Sequence, residues 1–455
     1  MLTDTIAAIS TGGNNSGINI IRISGEYSKK IIDKIFTGAS KLDHQKIIYG
    51  KIKDDDKIVD EVLVSYFKSP NSFTGEDICE INCHGGRRVT LDILELVLSN
   101  GARIAEPGEF SKRAFLNGKM DLSKAEGIID LINAKTKLQT RIATEQLEGE
   151  LYTAINKERE KLIEMLAQIE VSIDYPEYDY EELKNDEIKN KLTDIADMLK
   201  AYINSYENGK YIKEGINVAI LGGTNAGKSS LLNTLAKSEK AIVTDIEGTT
   251  RDIVEETIIL DNIVLNIFDT AGIRETDDVV EKIGIKRSIE IIDKVDFVIM
   301  VIDVTKGITQ NDIDILEKIN QKNKKYIVCL NKVDVSREKI KEIEKNIQSS
   351  ESVIETSFLT KEGIDTLKEK IGYIFNLGQI ETNEEIVIVN QRHKELLEKS
   401  YDSIMNAIDE VNKNLGVDIA EINIKNAARY LGEILGQEVT NDIINKIFEK
   451  FCLGK

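Results

Sequence analysis

The stretch "GGTNAGKSS", residues 222–230, completes the spacing G-x-x-x-x-G-K-S with Gly222, Gly227, Lys228 and Ser229. It follows the apolar run "INVAIL" and precedes "SLLNTLA", so a strand, a tight loop and a helix are expected in that order. Such glycines let backbone N–H groups wrap phosphate oxygens. Lys228 suits the β- and γ-phosphates of a nucleotide, and the Ser229 hydroxyl suits Mg²⁺.

Three further motifs follow. "GTTRD" (248–252) offers Thr250 as a second Mg²⁺ ligand when a γ-phosphate is present. "DTAG" supplies Asp269, Thr270, Ala271 and Gly272 at the end of an apolar run, where a carboxylate reaches Mg²⁺ through water. "NKVD" supplies Asn331, Lys332 and Asp334 at the end of another. A carboxylate there accepts from both the ring N–H and the amino group of guanine. Adenine has no such donor pair and would leave the acceptors unpaired. Together the motifs imply GTP binding and hydrolysis, with Asn225, Ala226, Gly227, Lys228, Ser229 and Ser230 forming the phosphate loop. One position departs from the Ras-type pattern, which places a water-orienting Gln after D-x-x-G. Here Ile273 has no polar atom, so another group must position the water, and Glu281 in "DDVVEKIGI" is a candidate.

The elements that must carry these residues follow from apolar periodicity. Residues 1–118 mix β-branched runs ("INIIRIS", "IVDEVLVSYF", "ICEINC") with glycine turns and one helical run, "RRVTLDILELVLSNG". This predicts an α+β domain. Within "ICEINC", Cys79, Ile81 and Cys83 alternate onto one face and Glu80 and Asn82 onto the other, which predicts a core face and an opposite polar face. Zinc held by Cys79, Cys83 and His84 is an alternative, though no fourth ligand is evident. Residues 119–212 read as long amphipathic helices and 379–455 as helical again. Residues 213–378 alternate apolar strands with helices, the signature of an α/β domain. Two helical parts flanking an α/β domain fit one all-α domain with a P-loop domain inserted in it.

Composition narrows the setting. The 455 residues are 41% hydrophobic and 31% charged, enough for several cores, and no uninterrupted apolar run spans a membrane. "MLTDTIAAIS" lacks the basic flank of a secretory signal, and four Cys without framework spacing suit reduced thiols in a cytoplasm. A net charge of −19 argues against tight unaided binding of nucleic acid, so a basic partner is expected to hold any RNA.

End to end, the chain resembles the MnmE (TrmE) family of tRNA-modification GTPases. The resemblance runs through "DTIAAIS", "RISG", "NSFTGED", "HGG", "PGEFSKRAFLNGKMDLSKAEGIIDLI", "IDYPE", "NAGKSSLLN", "AIVTDIEGTTRD", "DTAGIRETDDVVEKIGI", "NKVD", "LGEILG" and "FCLGK". It implies a dimerising, folate-binding N-terminal domain, a helical domain and an inserted G domain. It also implies a homodimer and a partner, MnmG, that carries FAD. The pair would modify carbon 5 of the tRNA wobble uridine with a one-carbon unit from a tetrahydrofolate derivative. The family's folate contacts fall on Arg22, Glu80 and Lys119, with Lys455 a further candidate. The nucleotide site gains Thr244, Asp245, Ile246, Glu247, Gly248 and Thr249. A K⁺ ion between paired G domains would be held by Asn225, Thr244, Ile246 and Thr249, with Glu281 orienting the water.

Cys452, fourth from the last position given, has the spacing of a lipid acceptor, but Gly454 and Lys455 fit a prenylation box poorly. The resemblance puts its thiol near the folate and the modified base instead. Departures from the family are "TGGNNSG" in the N-terminal loop, Thr224 in the phosphate loop, "EINIKNAARY", and Ser357–Phe358–Leu359 where a small residue usually lies beside the guanine. Two other readings stand beside this one. A ribosome-assembly GTPase would need a basic RNA-binding module. A folate enzyme with a regulatory G domain would involve no nucleic acid.

Overall fold

The computed structural model describes residues 4–12, 16–174, 185–238, 254–260, 262–268, 290–347, 353–375, 386–413, 417–451 and 454. The chain divides into two compact units. One comprises residues 1–132, 144–190 and 402–455, the other 133–143 and 191–401.

The first unit is built on a six-stranded sheet. Its strands are β1 (Ile6–Ile9), β2 (Ile18–Ser24), β3 (Lys46–Asp54), β4 (Lys57–Phe67), β5 (Ile78–His84) and β6 (Arg103–Ile104), in the order β3-β4-β5-β2-β1-β6. All pairs are antiparallel except β1 with β6. One face is apolar: Ile21 and Ile23 of β2 and Cys79, Ile81 and Cys83 of β5 are buried with α1 (Ser28–Ile35) and α2 (Arg87–Ser99). The residues between them point to the other face, as the two-residue period requires. The predicted core face of "ICEINC" therefore holds, with Glu80 and Asn82 on the opposite face.

Helix α3 (Glu109–Leu116) follows the sheet, and the long helices α4 (Leu122–Asn133), α5 (Lys137–Glu148), α6 (Glu150–Asp174) and α7 (Asn185–Glu214) come next. The helical reading of this stretch is correct. Among the described residues, no helix is long and apolar enough to cross a membrane.

In the second unit, β7 (Ile216–Leu221), β8 (Val254–Leu260), β9 (Ile263–Phe268), β10 (Phe297–Asp303), β11 (Lys325–Asn331) and β12 (Val353–Thr356) form a sheet in the order β12-β11-β10-β7-β9-β8. Only β8 runs antiparallel to its neighbour. Every residue of β10 is buried, because both faces are covered. Ile299 and Val301 join one apolar cluster, and Val298, Met300 and Ile302 join the other. The helices here include α8 (Lys228–Ser238), α9 (Gln310–Gln321), α10 (Ile340–Glu344) and α11 (Ile364–Ile374). The chain ends in α12 (Gln391–Asn412), α13 (Val417–Leu435) and α14 (Asn441–Phe448). In the first unit α6 packs along α13, and α14 packs on α3 and α4 through Phe115, Leu122, Ala125 and Phe448.

Candidate functional site

In the second unit, strand β7 lies between β10 and β9, where connections leave the sheet in opposite directions. Ligands of doubly wound sheets bind at such a switch point, beyond the strands' C-terminal ends. The loop that emerges there, 222–227, is shaped by close approach. Gly222 has φ +143, and a Cβ on it would stand 2.1 Å from the Val301 carbonyl oxygen. Gly227 has φ +111, and its Cβ would stand 2.1 Å from Asn331 Nδ2. No side chain fits at either position, and Asn225 takes the left-handed region at φ +59. Helix α8 begins at Lys228, so the loop feeds directly into the N–H groups of a helix N-terminus, which attract anions. Lys228 donates to the Gly222 and Gly223 carbonyls, each at 2.8 Å, and burial lowers its pKa. Ser229 and Ser230 are exposed beside it, and a hydroxyl at Ser229 is the hard oxygen donor that Mg²⁺ prefers.

Asn331 and Lys332 stand at the end of β11. Asn331 donates to the Ala226 carbonyl at 2.8 Å and accepts from the Phe358 N–H at 3.2 Å, tying "NKVD" to the phosphate loop. Lys332, at φ +71, pairs with Asp303 at 2.5 Å. Asp334 is exposed. Phe358, expected beside the base, turns its ring into the core with Leu231, Leu235 and Ile354, and the exposed neighbour is Leu359. The sequence had no means of choosing between them, because both side chains are apolar. Thr244, Asp245, Ile246, Glu247, Gly248, Thr249, Thr250, Asp269, Thr270, Ala271, Gly272 and Glu281 lie outside the described residues.

In the first unit, Arg22 and Glu80 are cross-strand partners on the outer sheet face, with Arg22 Nε 2.8 Å from Glu80 Oε1. The guanidinium carbon lies 5.5 Å from the centre of the Phe73 ring and 5.8 Å from that of Phe110. Lys119 donates to the Pro70 carbonyl at 3.0 Å and packs beside Gly75. The loop 69–76 thus joins Lys119 to the Arg22–Glu80 pair. Gly454 reaches the same sheet, where its carbonyl accepts from Ser10 Oγ at 3.0 Å while the Ser10 N–H donates to Ile20. Cys452 and Lys455 lie outside the described residues.

A profile of the MnmE helical domain matches residues 122–452, and one of the GTP-binding protein TrmE N-terminus matches residues 5–119. Curated relatives align over the whole chain. The tRNA modification GTPase MnmE of Clostridioides difficile is 46% identical, with 100% of each chain covered. Those of Acetivibrio thermocellus (47%, 99% of each) and Finegoldia magna (45%, 100% of this chain) are similar. The chain belongs to the MnmE family of tRNA modification GTPases.

In this MnmE-family chain, a network of charges beneath the Phe73 loop forms no motif in the sequence. Arg113 is 1% exposed and pairs with Asp4 (2.8 Å), Glu76 (3.1 Å) and Glu109 (2.9 Å). Burial opposes its charge, but Glu109 and Glu76 outweigh burial and raise its pKa. Arg103 adds a second guanidinium to Glu109 and Asp4. Only the i,i+4 spacing of Glu109 and Arg113 was visible in sequence. Cys79, Cys83 and Cys329 are buried free thiols, and burial pushes Cys79 up to about 12. His84 lies on the opposite face, against Asp60, so these Cys and His do not converge on a metal in this MnmE-family sheet.

Proposed function

We propose that this tRNA modification GTPase of the MnmE family acts with the FAD protein MnmG at carbon 5 of the wobble uridine. It would draw a one-carbon unit from a tetrahydrofolate derivative such as 5-formyl- or 5,10-methylene-tetrahydrofolate. The observation that carries the folate reading is the Arg22–Glu80 pair on the outer sheet face, flanked by a partly exposed aromatic ring. A carboxylate can accept from the amino-pyrimidine edge of a pterin, while guanidinium and ammonium groups suit the ligand's carbonyl and its glutamate tail. Arg22, Glu80, Lys119 and Lys455 are the proposed folate contacts. Cys452 is proposed as the thiol near the modified base.

GTP would lie along loop 222–230, with its guanine read by Asp334 and its phosphates in the loop's N–H groups. The chain's own part is to bind and orient. Lys228 meets the phosphates, Asn331 holds the loop's shape through Ala226, and Glu281 orients the attacking water. Bound Mg²⁺ (Ser229, Thr250) and K⁺ (Asn225, Thr244, Ile246, Thr249) would supply the positive charge that phosphoryl transfer needs. K⁺ favours a cage of several neutral oxygens, and the Asn225 side-chain carbonyl is one.

A homodimer is supported by the outer sheet face, where Ile47, Tyr49 and Leu63 are 65%, 63% and 44% exposed and together form an apolar patch. A single helical domain with an inserted G domain (213–378) is supported by the packing of α6 along α13, which come from before and after that insert. A cytoplasmic location fits the free thiols and the absence, among the described helices, of a membrane-spanning one.

Nucleoside analysis of total tRNA from a strain lacking the gene tests the whole reading. Wobble uridines should lose their carbon-5 groups, and an unchanged pattern overturns the proposal. GTP turnover in K⁺ and in Na⁺, for wild type and Glu281→Ala, tests the hydrolysis. Equal rates in the two salts would remove the K⁺ ion, and an unchanged K⁺-stimulated rate in the variant would remove Glu281.

A further inference from the structure

The loop 71–76 has no regular secondary structure, yet its polar contacts are dense on one side. Thr74 shares a hydrogen bond with Ser24 at 2.7 Å, and its carbonyl accepts from Asn117 at 2.7 Å. Ser24 also donates to Glu76 at 2.7 Å. The other oxygen of Glu76 meets Arg113, which is held from behind by Asp4 and Glu109. Ser72 donates to the Glu76 carbonyl at 2.5 Å, closing the turn. Phe73 sits at the crest of this turn, 38% exposed as a residue, with its ring beside Arg22. An exposed ring costs hydration free energy, and a turn anchored on both sides of that ring keeps it from collapsing onto the sheet. A flat, half-exposed ring beside a guanidinium–carboxylate pair is a stacking wall next to a polar edge, the combination a pterin presents in complement.

We propose that Phe73 forms the aromatic wall against which the pterin stacks, and that Glu76, clamped between Arg113 and Ser24, is the positioning residue that aims it. This rests on the folate reading of the Arg22–Glu80 face and adds a residue that touches the ligand and one that acts through it. Arg113 is buried with three carboxylates around it, so loss of the Glu76 charge leaves the guanidinium paired but frees the loop.

The test is calorimetry of 5-formyltetrahydrofolate binding to the full chain as wild type, Phe73→Leu, Glu76→Gln, the double variant and Arg22→Ala. GTP hydrolysis is measured on each as a control. Phe73→Leu and Glu76→Gln should each weaken binding about tenfold, the scale of one aromatic stacking or charge-assisted contact. The double variant should be no weaker than Phe73→Leu alone, because Glu76 acts only through the ring. Additive losses, or wild-type affinity in either single variant while Arg22→Ala loses binding, overturn the clamp and wall but leave the folate reading standing. Wild-type affinity in Arg22→Ala overturns the folate reading, and this inference with it. Should Glu76→Gln fail to fold, Ser24→Ala takes its place in the same cycle, with the same outcomes deciding.

Discussion

The two candidate sites of this protein are made from different materials. The phosphate loop of the second unit is a backbone device: nine consecutive residues, two glycines pressed against neighbouring strands, and a helix start. The outer sheet face of the first unit is a side-chain device. Arg22, Phe73, Glu80, Arg113 and Lys119 come from five separate segments and meet only through strand register and a buried charge network. A backbone site fails through sterics and all at once. A side-chain site fails by degrees, one contact at a time.

The sharpest way to break that comparison is Gly222→Ala. The new methyl would stand 2.1 Å from a carbonyl oxygen of a fully buried strand, at φ +143, so neither partner can yield cheaply. GTP affinity, measured by fluorescent-nucleotide titration, should fall at least about a hundredfold, while the folate binding proposed for the first unit should stay at wild type. Affinity within threefold of wild type would show that the loop is not shaped by that contact.

Asp334→Asn comes next. On the proposed reading it exchanges an acceptor for a donor opposite the guanine, so GTP should weaken by roughly tenfold to a hundredfold and the preference should relax toward xanthine nucleotides. Competition titrations with GTP and XTP read both effects. Unchanged GTP affinity would mean that this carboxylate does not read the base.

This difference in materials also explains what could be read before the fold was known. The phosphate loop, the strands before it and after it, and "NKVD" were legible because their spacing is local. The strands "INIIRIS" and "ICEINC" were legible from their two-residue alternation, and with them the outward face of Glu80. Strand β3, "KIIYGKIKD", gave no clean pattern because its outer face carries Ile47 and Tyr49 in place of polar residues. The clamp was invisible for a simpler reason. Glu76 and Arg113 lie 37 positions apart, and no period links them. Asp303 likewise belongs to no motif, and it pairs with Lys332 only because β10 and β11 lie side by side in register.

Acid should separate the two regions a third way. Burial raises the Glu109 pKa, but Arg103, the Glu106 N–H and Arg113 outweigh it and hold the group below its ordinary 4.5. Asp4 is likewise pushed up by burial and pulled lower overall by Arg103 and Arg113. A carboxylate whose folded pKa is depressed contributes stability that is complete above the unfolded value and lost as pH falls through the folded one. The contribution of Glu109 is therefore intact above about pH 4.5 and is lost progressively as pH falls from there through the lowered folded value. Urea midpoints followed by circular dichroism at about pH 6 and pH 3.5 should fall by the equivalent of roughly 1 kcal/mol more in wild type than in Glu109→Gln, which lacks that titration. An equal fall in both would remove Glu109 as an acid-labile contributor.

The smallest effect is expected where the nucleotide region does rely on a side-chain pair. Asp303 is nearly buried and accepts from Thr305 at two points as well as from Lys332. Burial raises its pKa, but the Lys332 hydrogen bond and the two from Thr305 lower it further, so it is charged at neutral pH. Asp303→Asn keeps the Thr305 contacts and the shape but removes the charge. Lys332 is about a third exposed, so the pair is partly screened and contributes on the order of 1 kcal/mol. The KM for GTP should rise about fivefold with kcat within twofold of wild type, because ground state and transition state lose the same contact. A loss comparable to that of Gly222→Ala would mean that the nucleotide site depends on its side chains as heavily as the sheet face does, and the contrast between the two regions would fail.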